Sequence, residues 1–306
     1  DGTDVYVAGI MEHIEEAGIH SGDSACVIPP HTLPEAIVNE IARQTVELAR
    51  ELRVVGLMNI QFAVKDGLIY ILEVNPRASR TAPFVSKATA VPLPRLATQI
   101  MLGATLKELD PWSMRRAGYF SVKESVFPFN RFPGVDILLG PEMRSTGEVM
   151  GIASSFEEAY LKGQLAGGQR LPESGKIFIS VNDRDKLLIT EVASMFADLG
   201  FEVLATSGTA KLLREGGVPA TSVHKVYEGR PNIVDFIKNG DIALVLNTAS
   251  GKRTVQDSKS IRQATLMYGV PYSTTVSGAK AIAQAIRASR CCGVNVKSLQ
   301  EYYGTN

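Results

Sequence analysis

Glu73 and Asn75 stand two residues apart at the end of a strand-like run, and Arg77, Arg80 and Lys87 follow close behind. On a strand, residues i and i+2 share a face. The carboxylate and the amide therefore present their oxygens side by side. Hard cations such as Mg²⁺ and Mn²⁺ take oxygen ligands of this kind, and arginines beside them suit a phosphoryl group. The stretch reads as an ATP–metal site. The competing reading is a surface hairpin whose polar face merely meets water.

The elements that must position these residues are two apolar runs, Leu57–Val64 and Leu68–Val74, joined across Lys65-Asp66-Gly67. That junction is a hairpin signal. A two-residue Asp66-Gly67 turn would set Ile60 opposite Glu73 and bury a charge. A three-residue loop with Gly67 left-handed pairs Ile60 with Leu72, Phe62 with Tyr70 and Val64 with Leu68, giving one clean apolar face. The expectation is the three-residue loop, which brings the Gln61 amide oxygen beside the Glu73 carboxylate. Three metal-capable side chains on one face, with Arg77 beyond, weigh against the bland hairpin.

Around this motif, Val5–Ile10 has the pattern of a strand, Pro34–Leu52 of an amphipathic helix and Leu93–Leu102 of a helix stopped by Gly103. Residues 103–170 are broken by prolines, with a helix expected over Ser154–Gln164. Gly163–Pro172 has linker composition, which divides the chain into 1–167 and 168–306. From Gly175 strands and helices alternate. Strands are expected at Lys176–Val181, Phe201–Thr206, Val218–Lys225, Ile242–Asn247 and Pro271–Thr275. Helices are expected at Asp183–Leu199, Gly208–Glu215, Asn232–Lys238, Thr254–Tyr268 and Gly278–Ala288. Such alternation builds a mostly parallel sheet covered on both faces.

In open α/β sheets, ligands bind beyond the carboxyl ends of strands, where helix N-termini offer N–H groups to anions. Thr206-Ser207-Gly208-Thr209 and Asn247-Thr248-Ala249-Ser250-Gly251 lie at two such ends, with Lys186 and Lys225 near two others. These hydroxyls, amides and ammonium groups could cradle a phosphate. They could equally be ordinary caps.

The 306 residues carry 32 basic and 32 acidic side chains, a balance that favours neither nucleic acid nor a membrane surface. No apolar run reaches the ~20 residues of a membrane span, and no signal peptide is visible, so cytoplasmic residence is the default. Three cysteines, with Cys291 and Cys292 adjacent, make neither a disulfide framework nor a zinc site. The four histidines lack metal spacing, and His20 alone would be a structural histidine. Glu15 and Glu124 alone would be solvated charges.

Asn59–Phe62 and Glu73–Arg77 resemble the metal-ligand segments of ATP-grasp enzymes. The continuation Ala78–Lys87, together with Gly9–Ser24, is similar to the large-subunit family of carbamoyl phosphate synthetases. The resemblance runs along essentially the whole chain. It implies the C-terminal lobe of an ATP-grasp domain followed by a Rossmann-like, methylglyoxal-synthase-like allosteric domain, an α/β and α+β fold. It further implies an ATP-dependent ligase of arginine and pyrimidine biosynthesis, using Mg²⁺ or Mn²⁺ with K⁺ as a further cation. Its partners would be a small glutaminase subunit and the rest of the large subunit, in a hetero-oligomer.

By the same resemblance Gln61, Glu73 and Asn75 hold the metal, with Gln61 and Glu73 also meeting the nucleotide. Arg77 steadies the transferred phosphoryl or carbamate. Gly18, Ile19, His20 and Ser21 line the adenine and ribose. Lys186, Thr206, Thr209, Lys225 and Asn247 match positions that bind UMP, or IMP, in the regulatory domain. Ala249 departs from the threonine expected there. Acidic groups that a working methylglyoxal synthase would need are not evident over Gly251–Asp257. Glu15, Asp23, Glu124, Tyr272 and Thr274 match an ornithine site between the domains. Because the chain opens on Asp1 without the upstream phosphate-closing lobe, the expectation is a C-terminal piece that does not turn over ATP alone. The alternatives are another ATP-grasp ligase and a non-catalytic nucleotide-binding regulator.

Overall fold

The computed structural model describes residues 1–114, 118–132, 134–248 and 258–304. Three sheets organise it. The first is a four-stranded antiparallel sheet of β1 (Glu12–His13), β2 (Cys26–Ile28), β5 (Phe120–Val126) and β6 (Gly147–Ala153), in that spatial order. The second is the hairpin of β3 (Asn59–Lys65) and β4 (Leu68–Asn75). The third is a five-stranded parallel sheet built from β7 (Lys176–Ser180), β8 (Glu202–Thr206), β9 (Thr221–Val223), β10 (Ile242–Asn247) and β11 (Tyr272–Ser273). Its order is β11-β10-β7-β8-β9.

The hairpin departs from the expected register. Lys65 pairs with Leu68 across a two-residue turn, with Asp66 and Gly67 both left-handed at φ 53° and 75°. A bulge then absorbs Leu72, so that Gln61 lies directly opposite Glu73 and Asn59 opposite Asn75. With unbroken pairing, a tight turn would set Glu73 opposite Ile60 and bury its charge. The extra residue in β4 removes that objection by turning Glu73 to the face of Gln61.

Val5–Ile10 forms no strand. Tyr6 and Ala8 pack instead on Val91, Leu93 and Leu96, so their apolar alternation reflects side-chain burial without a pairing partner. Within 103–170, β5 and β6 were not foreseen. β5 carries Lys123 and Ser125 fully inside the fold, and polar residues there mask a buried strand. The supposed linker starts inside a helix, Phe156–Ala166, capped by the Ser155 hydroxyl accepting from the Glu158 N–H. Gly163 in it is a packing residue, since a Cβ would lie 3.4 Å from Val122 Cγ1 and Glu124 Cβ.

The parallel sheet follows expectation closely, with the strand at Val218–Lys225 shortened to Thr221–Val223. The final helix is extended to Val276–Cys292. A last helix, Leu299–Tyr303, was not anticipated. One core runs through both halves: Val27, Val122, Phe156 and Tyr160 join Ile177, Ile179, Leu244, Ile282 and Ile286. Among the described residues no helix is long and apolar enough to cross a membrane.

Candidate functional site

The β3–β4 hairpin places Gln61, Glu73, Asn59 and Asn75 on one face. Asn75 donates from Nδ2 to Glu73 Oε1 at 2.9 Å, and the Arg77 N–H returns to the Asn75 carbonyl at 2.8 Å. The second contact turns the chain so that the exposed Arg77 side chain stands at the strand end, donating to the Ala78 carbonyl at 3.0 Å. Among the described residues no group of three or more His, Cys, Asp or Glu is arranged to hold a metal ion. A metal at this face would therefore take one carboxylate and amide oxygens, with phosphate oxygens completing its shell. That donor set fits a hard cation.

Beyond Arg77, Arg80 reaches Met143, and Met143 covers Gly22 so closely that a Cβ there would lie 3.0 Å from its sulfur and 3.1 Å from His20 Nδ1. His20 anchors the Gly18–Ser21 segment: its N–H donates to the Gly140 carbonyl at 2.8 Å and its Nδ1 accepts from the Gly22 N–H at 3.0 Å. Both contacts make it a structural residue of that loop. No hydrogen bond among the described residues joins Gly18–Ser21 to the hairpin face. The two approach through Arg80 and Met143.

Glu15, Asp23, Glu124, Tyr272 and Thr274 line a single cavity of about 630 Å³ between the antiparallel and parallel sheets. The two glutamates are not solvated surface charges. Burial pushes the Glu15 carboxyl up to about 7, against two backbone N–H groups that pull the other way. Burial, and then the neighbouring Glu15, push Glu124 up to about 8. Glu124 accepts from Gln164 Nε2 at 2.8 Å, and Glu15 from the Ala25 N–H at 2.6 Å. Desolvation also holds the Tyr272 and Tyr160 phenols neutral. Asp23 differs from its neighbours: both its oxygens accept main-chain N–H bonds, from Arg144 at 2.8 Å and Ser145 at 2.9 Å. It clamps a loop before it can offer charge to a ligand.

The carboxyl edge of the parallel sheet gathers the third group. Thr206 and Thr209 bond through their hydroxyls at 3.2 Å, both buried. Asn247 donates to the Ser180 carbonyl at 3.3 Å. Lys186 begins the helix after β7 and pairs with Asp183 at 2.5 Å, and Lys225 follows β9. Since β10, β7, β8 and β9 are neighbours in that order, these five residues share one rim. A Cβ on Gly208 would meet nothing within 4 Å, leaving open space above the helix start. Ala249 and Gly251–Asp257 lie outside the described residues.

Comparison with known proteins gives the family of the chain. Residues 1–109 match the family described as carbamoyl-phosphate synthase L chain, ATP binding domain, and residues 188–274 match the MGS-like domain. The carbamoyl phosphate synthase large chain of Mesorhizobium japonicum is 55% identical over 311 residues, covering 99% of this chain. That of Myxococcus xanthus is 53% identical over 302 residues, again 99% of this chain. The chain belongs to the carbamoyl phosphate synthase large-chain family. It spans 26% and 28% of those two relatives' length. Among solved structures, the biotin carboxylase domain of a single-chain bacterial carboxylase overlaps 47% of this chain and 38% of its own. It does so at 18% identity with a TM-score of 0.36.

Several residues important to this large-chain architecture escaped sequence reasoning. Asn182 links the first and fourth strand ends, its N–H and Nδ2 each 3.2 Å from Thr248 Oγ1. Lys123, fully buried, donates to Ser125 Oγ at 3.2 Å and the Gly22 carbonyl at 3.4 Å. Arg262 is buried against Asp136. Each is a polar residue in a polar-looking stretch, and nothing in spacing marks it as internal.

Proposed function

We propose that this chain is the C-terminal portion of a carbamoyl phosphate synthase large subunit, carrying part of the ATP–metal site for carbamate phosphorylation and the effector-binding domain. The observation that carries the catalytic half is the Gln61–Glu73 pairing with Asn75 on the same face. Gln61, Glu73 and Asn75 would hold Mg²⁺ or Mn²⁺, and Arg77 would meet the transferred phosphoryl or the carbamate. The metal, when bound, offsets charge developing on the phosphate oxygens. The chain's own part is to set three oxygen donors on one face of the hairpin and to hold His20 so that Gly18–Ser21 can line the nucleotide.

The cavity between the sheets supports a dibasic amino acid such as ornithine as effector. Two carboxyls whose affinity for protons is raised by burial are stabilised in their ionised form by a ligand bringing ammonium groups. The strand-end rim supports a nucleoside monophosphate, UMP or IMP, held by Lys186, Lys225 and the Thr206–Thr209 hydroxyls. Partners would be the upstream large-subunit segment and a glutaminase subunit.

Supplying the upstream phosphate-closing lobe in trans tests the reading. ADP formation dependent on carbamate should appear, and Glu73→Gln should lower it by about 10²-fold or more. Absence of ADP formation with both pieces folded leaves the regulator without catalysis. Calorimetric titration with UMP and ornithine tests the effector half, with Lys225→Ala expected to remove UMP binding alone.

A further inference from the structure

Among the described residues the largest fully buried side chain is that of Arg262, 1% exposed, on the helix Lys259–Met267. Its Nε and Nη2 donate to Asp136 Oδ1 and Oδ2, both at 2.6 Å, a bidentate pair joining the regulatory half to the segment 134–146. Its third nitrogen, Nη1, lies 3.5 Å from Asn247 Oδ1 at the end of β10. One guanidinium thus faces the nucleotide rim on one side and the catalytic half on the other.

From Asp136 the bonding continues. Its main-chain carbonyl accepts from Arg144 Nη1 at 2.8 Å. The N–H groups of Arg144 and Ser145 hold the Asp23 carboxylate, and Ser145 Oγ donates to the Gly22 carbonyl at 3.0 Å. Asp23 N–H in turn donates to the His20 carbonyl at 2.9 Å. Beside the ion pair lies a second cavity of about 390 Å³, walled by Pro128, Phe129, Phe132, Val135, Asp136 and Arg144. It gives Asp136 and its loop room for a second position.

We propose that Arg262 is the positioning residue that couples phosphate occupancy at the strand ends to the Gly18–Asp23 segment. A buried guanidinium must keep an anionic partner, since an unpaired buried charge is strongly destabilising. A monophosphate at the rim offers a second anion beside Asn247. As Arg262 turns toward it, Asp136 loses its partner and moves into the adjoining cavity. The 136–145 loop then loosens its hold on Asp23. Ligand at one site thereby changes the order of the other, which is the differential contact that coupling requires. The inference rests on the nucleotide reading of the rim.

Amide hydrogen exchange on the 306-residue chain, with and without UMP, tests it. UMP should speed exchange at Asp23, Arg144 and Ser145 by roughly tenfold. In Asp136→Asn these amides should exchange fast without ligand and stop responding, with UMP affinity kept within about threefold. Arg262→Lys keeps the charge but not the bidentate geometry, and should blunt the response. The Arg144 side chain is exposed, so Arg144→Ala keeps the fold intact; it should cut the Asp23 response while Asp136 still responds. Should Asp136→Asn fail to fold, the other two variants decide. UMP binding with full responses in every folded variant overturns the relay and leaves the nucleotide site standing. No UMP binding to the unaltered chain overturns both.

Discussion

Glu15 and Glu124 share a cavity wall and hold protons to about 7 and about 8. In the unfolded chain both titrate near the ordinary glutamate value, so between that value and pH 8 the folded state binds more protons. Stability from this pair is complete below the unfolded value and is lost as pH rises through 7 to 8. The melting temperature at pH 8 should therefore lie below that at pH 5.5, and Glu124→Gln should flatten the difference. A dibasic ligand favours both ionised forms, so its binding should strengthen over the same range and release protons. Calorimetry at pH 7 in buffers of unlike ionisation enthalpy would count them. At this scale the sequence was partly legible. Glu73 and Asn75 declare themselves by spacing, because a strand's period forces them onto one face. Glu15, Glu124 and Tyr272 are far apart in the chain, and only resemblance grouped them; Lys123 and Arg262 had no signal at all.

Elements were read well where a period was clean. The helix Glu35–Glu51 and the parallel sheet both came out near their expected bounds, because hydrophobic alternation there is imposed by burial on known faces. The hairpin register was missed because a bulge at Leu72 changes the count without leaving a mark in composition. β5 was missed because its polar residues Ser121, Lys123 and Ser125 are buried, which hides the strand's inward face. The packing of β6 on the helix Phe156–Ala166 supplies a sharp test. A Cβ on Gly151 would fall 2.0 Å from the Ala159 carbonyl oxygen and 2.5 Å from the Gly163 nitrogen, both backbone atoms that cannot step aside. Gly151→Ala should cost about 1–3 kcal/mol or more, read as a shifted urea midpoint. Gly208→Ala, in open space, should leave that midpoint nearly unchanged.

At the scale of the whole molecule, one hydrophobic core crosses the boundary expected at 167/168. The core that contains Val27, Val122 and Tyr160 also contains Ile179, Leu244 and Ile286. Further ties cross the same division: Arg184 pairs with Glu16 at 2.8 Å, Ser277 Oγ donates to the Ile14 carbonyl, and Tyr302 OH donates to the Ile152 carbonyl at 2.9 Å. One calorimetric transition should be seen, and residues 168–306 expressed alone should melt well below the 306-residue chain. The β3–β4 hairpin stands apart from this cooperative body. It pairs with no third strand among the described residues, and Leu68, Tyr70, Ile71 and Leu72 are exposed along it. Two bare strand edges beside greasy side chains are a template for adding strands from other molecules. The same hairpin that carries Gln61, Glu73 and Asn75 therefore makes the chain sticky in the test tube. Light scattering should climb with protein concentration, and a charged residue at Leu72 should keep the solution clear.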